Sequence, residues 1–168
     1  DGPAAIKLTT GNPVFGMYMP DAIASYQVGG QVYYVTANEG DDRNDFLTPD
    51  ETTTVGNAAY DLDDATFPNE AALKNQAALG RLVVSNADGL RGDTDGDGDI
   101  DRILSYGARS FSIHDATGAR VFDSADMIEK IVATQFPANF FDARSDNKGP
   151  EPEGVTVAVL GGRTYAFV

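Results

Sequence analysis

The feature that most constrains the fold is a repeated hairpin signature. Pro20-Asp21-Ala22-Ile23 leads into Val28-Gly29-Gly30-Gln31-Val32-Tyr33, and Pro152-Glu153-Gly154-Val155 leads into Leu160-Gly161-Gly162-Arg163-Thr164-Tyr165, at a constant, gapless offset of 132 residues (20 to 152). Each copy sets a proline, a carboxylate, a small residue and a β-branched residue ahead of two β-rich runs joined by Gly-Gly. Two glycines supply the positive φ that a tight two-residue hairpin turn demands. Recurring hairpins must hide both faces and both edges, and radial sheet architectures do this by repetition. The expected fold is therefore mainly β: a β-propeller segment of several blades, an incomplete ring, with two short helices in loop insertions. Blades take about 40–50 residues, so the offset suits two enlarged blades or three ordinary ones. The whole of 1–168 reads as a single β-propeller-like region, a piece of a longer chain, because Val157 to Val168 forms a hairpin with no polar tail. Tyr165, Phe167 and Val168 are then expected to pair with the remainder of the parent chain or with another copy.

Between the two copies the elements follow local chemistry. Pro68 to Leu79 predicts a helix, with Pro68 near its first turn, Glu70 at its positive end, alanines and leucines inside, and Gly80 as its stop. Arg81 to Ser85, Ile103 to Tyr106, Ser110 to Ile113 and Arg120 to Phe122 read as strands. Ser124 to Thr134 predicts a second helix, with Ser124 as cap and Met127, Ile128, Ile131 and Val132 as its apolar face. Residues 44–67 are acidic, Thr-rich and aperiodic, which predicts a surface insertion. Residues 135–154 read as a loop. Tyr33, Tyr34, Tyr106, Phe111 and Phe122 are expected to pack across strands.

Charge limits the partners. Twelve basic residues against 26 acidic ones give a net charge of −14, so the chain offers no nucleic-acid-binding surface and no attraction to an anionic membrane. No apolar run reaches the roughly 18 residues of a membrane span. With no cysteine, thiolate sites and disulfides are excluded, and the single histidine, His114, argues against a multi-histidine metal site or a Ser-His-Asp triad. His114, beside Asp115 at a strand end, reads as structural.

The sharpest chemical motif lies in 86–101. Asp93, Asp95, Asp97, Asp99 and Asp101 alternate with other residues, and Gly98 takes the sixth position counted from Asp93. Alternating carboxylates around a tight glycine turn wrap oxygens about a hard cation, as in the first part of an EF-hand loop. Position 12 is Leu104, so the bidentate acid of a full EF-hand is missing. The expectation is a calcium loop set between strands, with all five aspartates as ligands; a solvated acidic turn would have to tolerate their mutual repulsion. Arg91-Gly92-Asp93 matches a cell-adhesion tripeptide, but Asp93 is better used on the metal.

A second polar group lies on loops: Glu39, Asp41, Asp42 and Arg43; Arg109 and Ser110; Arg144, Ser145, Asp146, Lys148, Glu151 and Glu153. Cations are scarce in this chain, so Arg144 and Lys148 within acidic loops suggest an organised network, one that ties loops by ion pairs or clamps a phosphate ester beside a metal. In the second case Glu39, Asp41, Arg144 and Glu153 would carry catalysis, Arg109 and Lys148 would bind substrate, and a second, catalytic metal would be needed. No nucleophile is marked by its neighbours.

Several of these stretches resemble one family. Met19-Pro20-Asp21-Ala22-Ile23 running into Val35-Thr36-Ala37-Asn38-Glu39-Gly40-Asp41-Asp42-Arg43, then Gly80-Arg81-Leu82, the Asp-rich loop, Arg109-Ser110-Phe111-Ser112-Ile113 and Arg144-Ser145-Asp146-Asn147-Lys148-Gly149-Pro150-Glu151-Pro152-Glu153-Gly154-Val155 are similar to the secreted bacterial choice-of-anchor I proteins. The resemblance spans nearly the whole chain. It departs at His114, where the family carries Trp. It implies an exported, periplasmic or cell-surface β-propeller protein, and members often bear an alkaline phosphatase label or accompany nucleotidase domains. Two functions follow as expectations: metal-assisted phosphomonoester hydrolysis by the parent, or a non-catalytic, calcium-stabilised extracellular scaffold or interaction module.

Overall fold

The computed structural model describes residues 6–42, 50–145 and 148–168. In chain order its elements are β1 (Val14–Met17), β2 (Ala22–Val28), β3 (Gln31–Asn38), β4 (Thr52–Thr54), α1 (Glu70–Leu73), β5 (Val83–Ser85), β6 (Ile103–Tyr106), β7 (Ser110–Asp115), β8 (Arg120–Asp123), α2 (Met127–Gln135), a 3-10 turn (Pro137–Asn139), α3 (Asp142–Ser145), β9 (Thr156–Leu160) and β10 (Arg163–Phe167). The fold is mainly β, with open sheets. Where one region was expected, the chain forms two compact units, one drawn from 1–17, 42–106 and 141–149, the other from 18–41, 107–140 and 150–168.

The first unit holds a four-stranded sheet in the order β1-β6-β5-β4, with β1 parallel to β6 and the other pairs antiparallel. Its core is Val55, Tyr60, Leu62, Phe67, Leu82, Val84, Ile100 and Ile103, with Val14, Leu73 and Leu79 packed against them. The expected surface insertion at 44–67 is therefore corrected: Val55, Tyr60, Leu62 and Phe67 are among the most buried side chains of the molecule. They hide from periodicity because turns, not strands, deliver them; Leu62 joins Ile100 through one isolated parallel bridge. Residues 44–49 of that stretch lie outside the described residues. The expected helix 68–79 is one turn, α1. Asn75 ends it, because its side-chain oxygen accepts the Ala77 N–H at 2.9 Å and so offers the backbone a competing turn. Gly80 then lies against the carbonyls of Lys74 and Asn75, where a Cβ would come within 2.4 Å of an oxygen.

The second unit holds an antiparallel four-stranded meander, β2-β3-β7-β8, and the two-stranded hairpin β9-β10. Both Gly-Gly hairpins form as the repeat predicts. The unit buries Val35 and Ala37, together with Thr36, Asn38, Ser110, Ser112 and Ser124. Of the aromatics expected to pack, Phe122 lies against Phe111 with ring centroids 5.6 Å apart and Tyr33 stacks on Tyr26 at 5.5 Å, while Tyr34 stays 37% exposed. The predicted second helix forms as α2, without Ser124 as its cap: the Ser124 hydroxyl is buried and accepts the Phe111 N–H at 2.9 Å instead. A third short helix, α3, and the 3-10 turn arise inside the predicted loop 135–154.

Candidate metal centre

The Asp-rich loop of the first unit is closed at its neck before any cation is considered. The N–H groups of Asp101 and Arg102 both donate to the Gly92 carbonyl, at 3.1 and 3.0 Å. Gly92 has φ +98°, and a Cβ there would meet the Arg102 oxygen at 1.9 Å, so only glycine fits. Ile100, fully buried, anchors the far limb: its N–H donates to the Asp61 carbonyl and its own carbonyl accepts the Asp63 N–H.

Within the neck the chain folds around its own carboxylates. Asp93 accepts the Gly96 N–H at 2.6 Å and the Gly98 N–H at 3.1 Å, and both glycines are left-handed. Asp101 accepts the N–H and hydroxyl of Thr94, which hold its carboxyl below the usual carboxylate range. One oxygen each from Asp93, Asp95 and Asp101 then lies within 4.8 Å of the others, the spacing at which oxygens share one ion. Three like charges this close repel strongly unless a cation neutralises them. At Asp95 the Asp97 amide lowers the pKa, but the charges of Asp97 and Asp101, together with burial, raise it on balance.

Asp97 and Asp99, also expected as ligands, stand outside that trio. Asp97 is exposed and accepts the Asp99 N–H at 3.3 Å. One oxygen of Asp99 is buried without a hydrogen bond, and its carboxyl is pushed up to about 6 by burial and then by the charges of Asp97, Asp63 and Asp101. The adhesion-like tripeptide is not displayed. Arg91 turns inward and donates to the Ala59 carbonyl at 2.9 Å, Gly92 is the buried neck, and Asp93 serves the loop amides.

The second group divides between the units. Glu39, Asp41 and Glu153 lie in the second unit, where burial first and then the charges of Asp21, Asp41, Glu153 and Glu151 raise the Glu39 pKa. Glu151 and Glu153 line a cavity of 510 Å³ with Phe111, Ile128, Ala166 and Val168. Arg109, in the same unit, pairs with Glu129 at 2.5 Å. Arg144 and Lys148 belong to the first unit, where Lys148 lies 3.4 Å from Asp42. Arg43 and Asp146 fall outside the described residues. His114 sits 3.2 Å from the Gly118 carbonyl, closing its own turn.

Sequence reasoning missed a buried polar relay. Thr36 Oγ1 donates to Asn38 Oδ1, Asn38 Nδ2 donates to the hydroxyls of Ser110 and Ser112, and both hydroxyls donate to Asp123. Burial opposes ionisation of Asp123, but donors from Ser112, Ala125, Ser110 and Tyr18 outweigh it and hold its carboxyl low. The signal was present as Ser110 and Ser112, two residues apart on one face of β7, opposite Asn38 and Thr36.

Among curated proteins, Gigasin-3a of Magallana gigas is 38% identical to this chain over 112 residues, which cover 58% of the chain and 38% of that relative's length. No solved structure matches. No helix among the described residues is long and apolar enough to cross a membrane. The family model of the choice-of-anchor I domain matches residues 1–168, and the chain belongs to that family.

Proposed function

We propose that the chain is a calcium-binding, propeller-type part of an exported protein, and that it serves as a metal-stiffened extracellular scaffold or interaction module. The observation that carries this reading is the convergence of Asp93, Asp95 and Asp101 on a loop already closed by Gly92 and anchored in the core by Ile100. A preformed loop loses little chain entropy when the cation enters, so the attraction goes into affinity. Family membership supports export. The meander β2-β3-β7-β8 has the strand count and order of one propeller blade, which supports the propeller reading.

Melting curves in excess calcium and in chelator test it. A ligand that binds only the folded state adds about 2.7 kcal/mol at a concentration 100 times its Kd. Calcium should therefore raise the melting temperature, and Asp101→Asn should abolish the rise. Superimposable curves for the unmodified chain would end the calcium reading.

Phosphomonoester hydrolysis by the longer protein is the second reading. One observation favours it: Glu39 is partly buried among carboxylates and carries a raised pKa, as a general acid requires. It needs a second, catalytic metal, with Asp41 and Glu153, whose charges act on Glu39, as candidate ligands. Hydrolysis of p-nitrophenyl phosphate by the full-length protein, lost with chelator and in Glu39→Gln, would establish it; no turnover would leave the scaffold.

A further inference from the structure

The far limb of the cation loop is fixed from outside the loop. Ile100 meets Leu62 in a parallel bridge, its N–H donates to the Asp61 carbonyl at 2.9 Å, and its carbonyl accepts the Asp63 N–H at 3.1 Å. Asp101, the next residue, belongs to the trio, and its own N–H closes the neck on Gly92. The position of residues 60–63 thus fixes where Asp101 stands.

Two side chains remote from the loop in sequence hold residues 60–63 in turn. Leu62 is 2% exposed, so its N–H needs an acceptor inside the protein. Glu70, in the first turn of α1, reaches back eight residues and supplies Oε1 at 3.2 Å. Lys74, one turn further on, donates from Nζ to that same Oε1 at 3.0 Å and to the Tyr60 carbonyl at 2.8 Å. The ammonium and the Leu62 amide hold the Glu70 carboxyl below the usual carboxylate range, so at neutral pH it is ionised and a pure acceptor. Asp63 turns the chain towards α1 by accepting the N–H groups of Thr66 and Ala65, at 2.7 and 3.3 Å. Its charge acts on Asp99 and Asp101.

Building on the calcium reading above, we propose that Glu70 and Lys74 are positioning residues for the cation loop: they clamp the 60–63 segment, which sets Asp101 against Asp93 and Asp95, and so govern calcium affinity. Neither residue belongs to the trio. Their effect passes through the backbone, from Tyr60 and Leu62 to Ile100 and on to Asp101. With the clamp loosened, mutual repulsion would drive Asp101 away from Asp93 and Asp95, and part of the calcium attraction would go into reassembling the site. The coupling is reciprocal, so calcium must in turn stiffen the clamped segment.

The test is a calcium titration of the whole chain by calorimetry, with hydrogen exchange at the Leu62 amide followed by NMR with and without calcium. Glu70→Ala leaves Leu62 and Lys74 without their shared oxygen and should raise the calcium Kd about ten-fold or more at unchanged stoichiometry. Glu70→Gln keeps a carbonyl oxygen at that place and should recover most of the affinity. Lys74→Met keeps the alkyl stem, loses both hydrogen bonds and should raise the Kd by a smaller factor; it decides the question if Glu70→Ala does not fold. Saturating calcium should slow exchange at Leu62 in the unmodified chain, and slow it less in Lys74→Met. A clamp that serves stability alone would lower the melting temperature of these variants and leave every Kd unchanged. That result overturns the proposal while the calcium reading stands; absence of calcium binding by the unmodified chain ends both.

Discussion

Among the described residues of the first unit, the fully buried side chains are Val55, Tyr60, Leu62, Val84, Ile100 and Ile103, with Ser85 as the small polar exception; in the second they are Asn38, Ser110 and Ser112 beside Val35 and Ala37. The second unit also leaves Ile23, Val121, Phe136, Val159, Phe167 and Val168 at least half exposed. All four left-handed residues other than glycine among the described residues, Met19, Arg109, Ala125 and Glu151, belong to it as well. The first unit is thus held by apolar burial around an interior of its own. The second adds to the buried Val35 and Ala37 a directed set of hydrogen bonds across β3, β7 and β8. Strained backbone persists only where its surroundings over-determine it, and it gathers where structure serves something besides stability.

Core truncation gives the largest expected contrast. Ile100→Ala should cost the first unit about 2–5 kcal/mol through lost burial and a cavity. Val121→Ala, on an exposed strand of the second unit, should change stability by less than about 0.5 kcal/mol. Chemical denaturation of both variants measures this, and equal losses would erase the distinction between the units.

The polar relay comes next. Asn38→Leu leaves the hydroxyls of Ser110 and Ser112 without their donor and should destabilise the second unit by about 1–3 kcal/mol. Adding Ser110→Ala and Ser112→Ala should restore part of that loss, which a denaturation cycle over the variants would reveal. Independent, additive losses would show that the hydrogen bonds do not act as one network.

The smallest effects concern pH, and the units should fail at opposite ends. Asp123 is held low in the fold, so its contribution is present above its unfolded pKa, about 4, and is lost as pH falls through the folded value. Tyr60 is raised by burial to about 12, with the Leu104 backbone and the Arg91 guanidinium only partly offsetting this. Its contribution is complete below pH 10 and is lost as pH rises towards 12. Asp123→Asn should flatten the acid limb at the second unit, and Tyr60→Phe the alkaline limb at the first, as read by pH-dependent hydrogen exchange in each unit. Profiles unchanged by both substitutions would show that neither group governs its unit.

The hairpins were legible in sequence because Gly29-Gly30 and Gly161-Gly162 meet a local demand that only a few residues satisfy. The trio of aspartates was legible in part. Alternation marked the loop, but only the amides of Gly96 and Gly98 and the neck at Gly92 decide that Asp93, Asp95 and Asp101 converge while Asp97 and Asp99 do not. The helix predicted at 68–79 failed because helix propensity is a weak preference, and the Asn75 side chain redirects the backbone after one turn.

Residue order alone carries what is local and periodic: a mainly β chain, two Gly-Gly hairpins, an acidic glycine-turned loop, and a strongly negative net charge. Packing in three dimensions fixes the rest: the division into two units, the burial of Val55, Tyr60, Leu62 and Phe67, and the relay ending on Asp123. The difference is one of range. Turn chemistry and charge act between residues a few positions apart, whereas burial joins side chains such as Leu62 and Ile100 whose spacing along the chain carries no period.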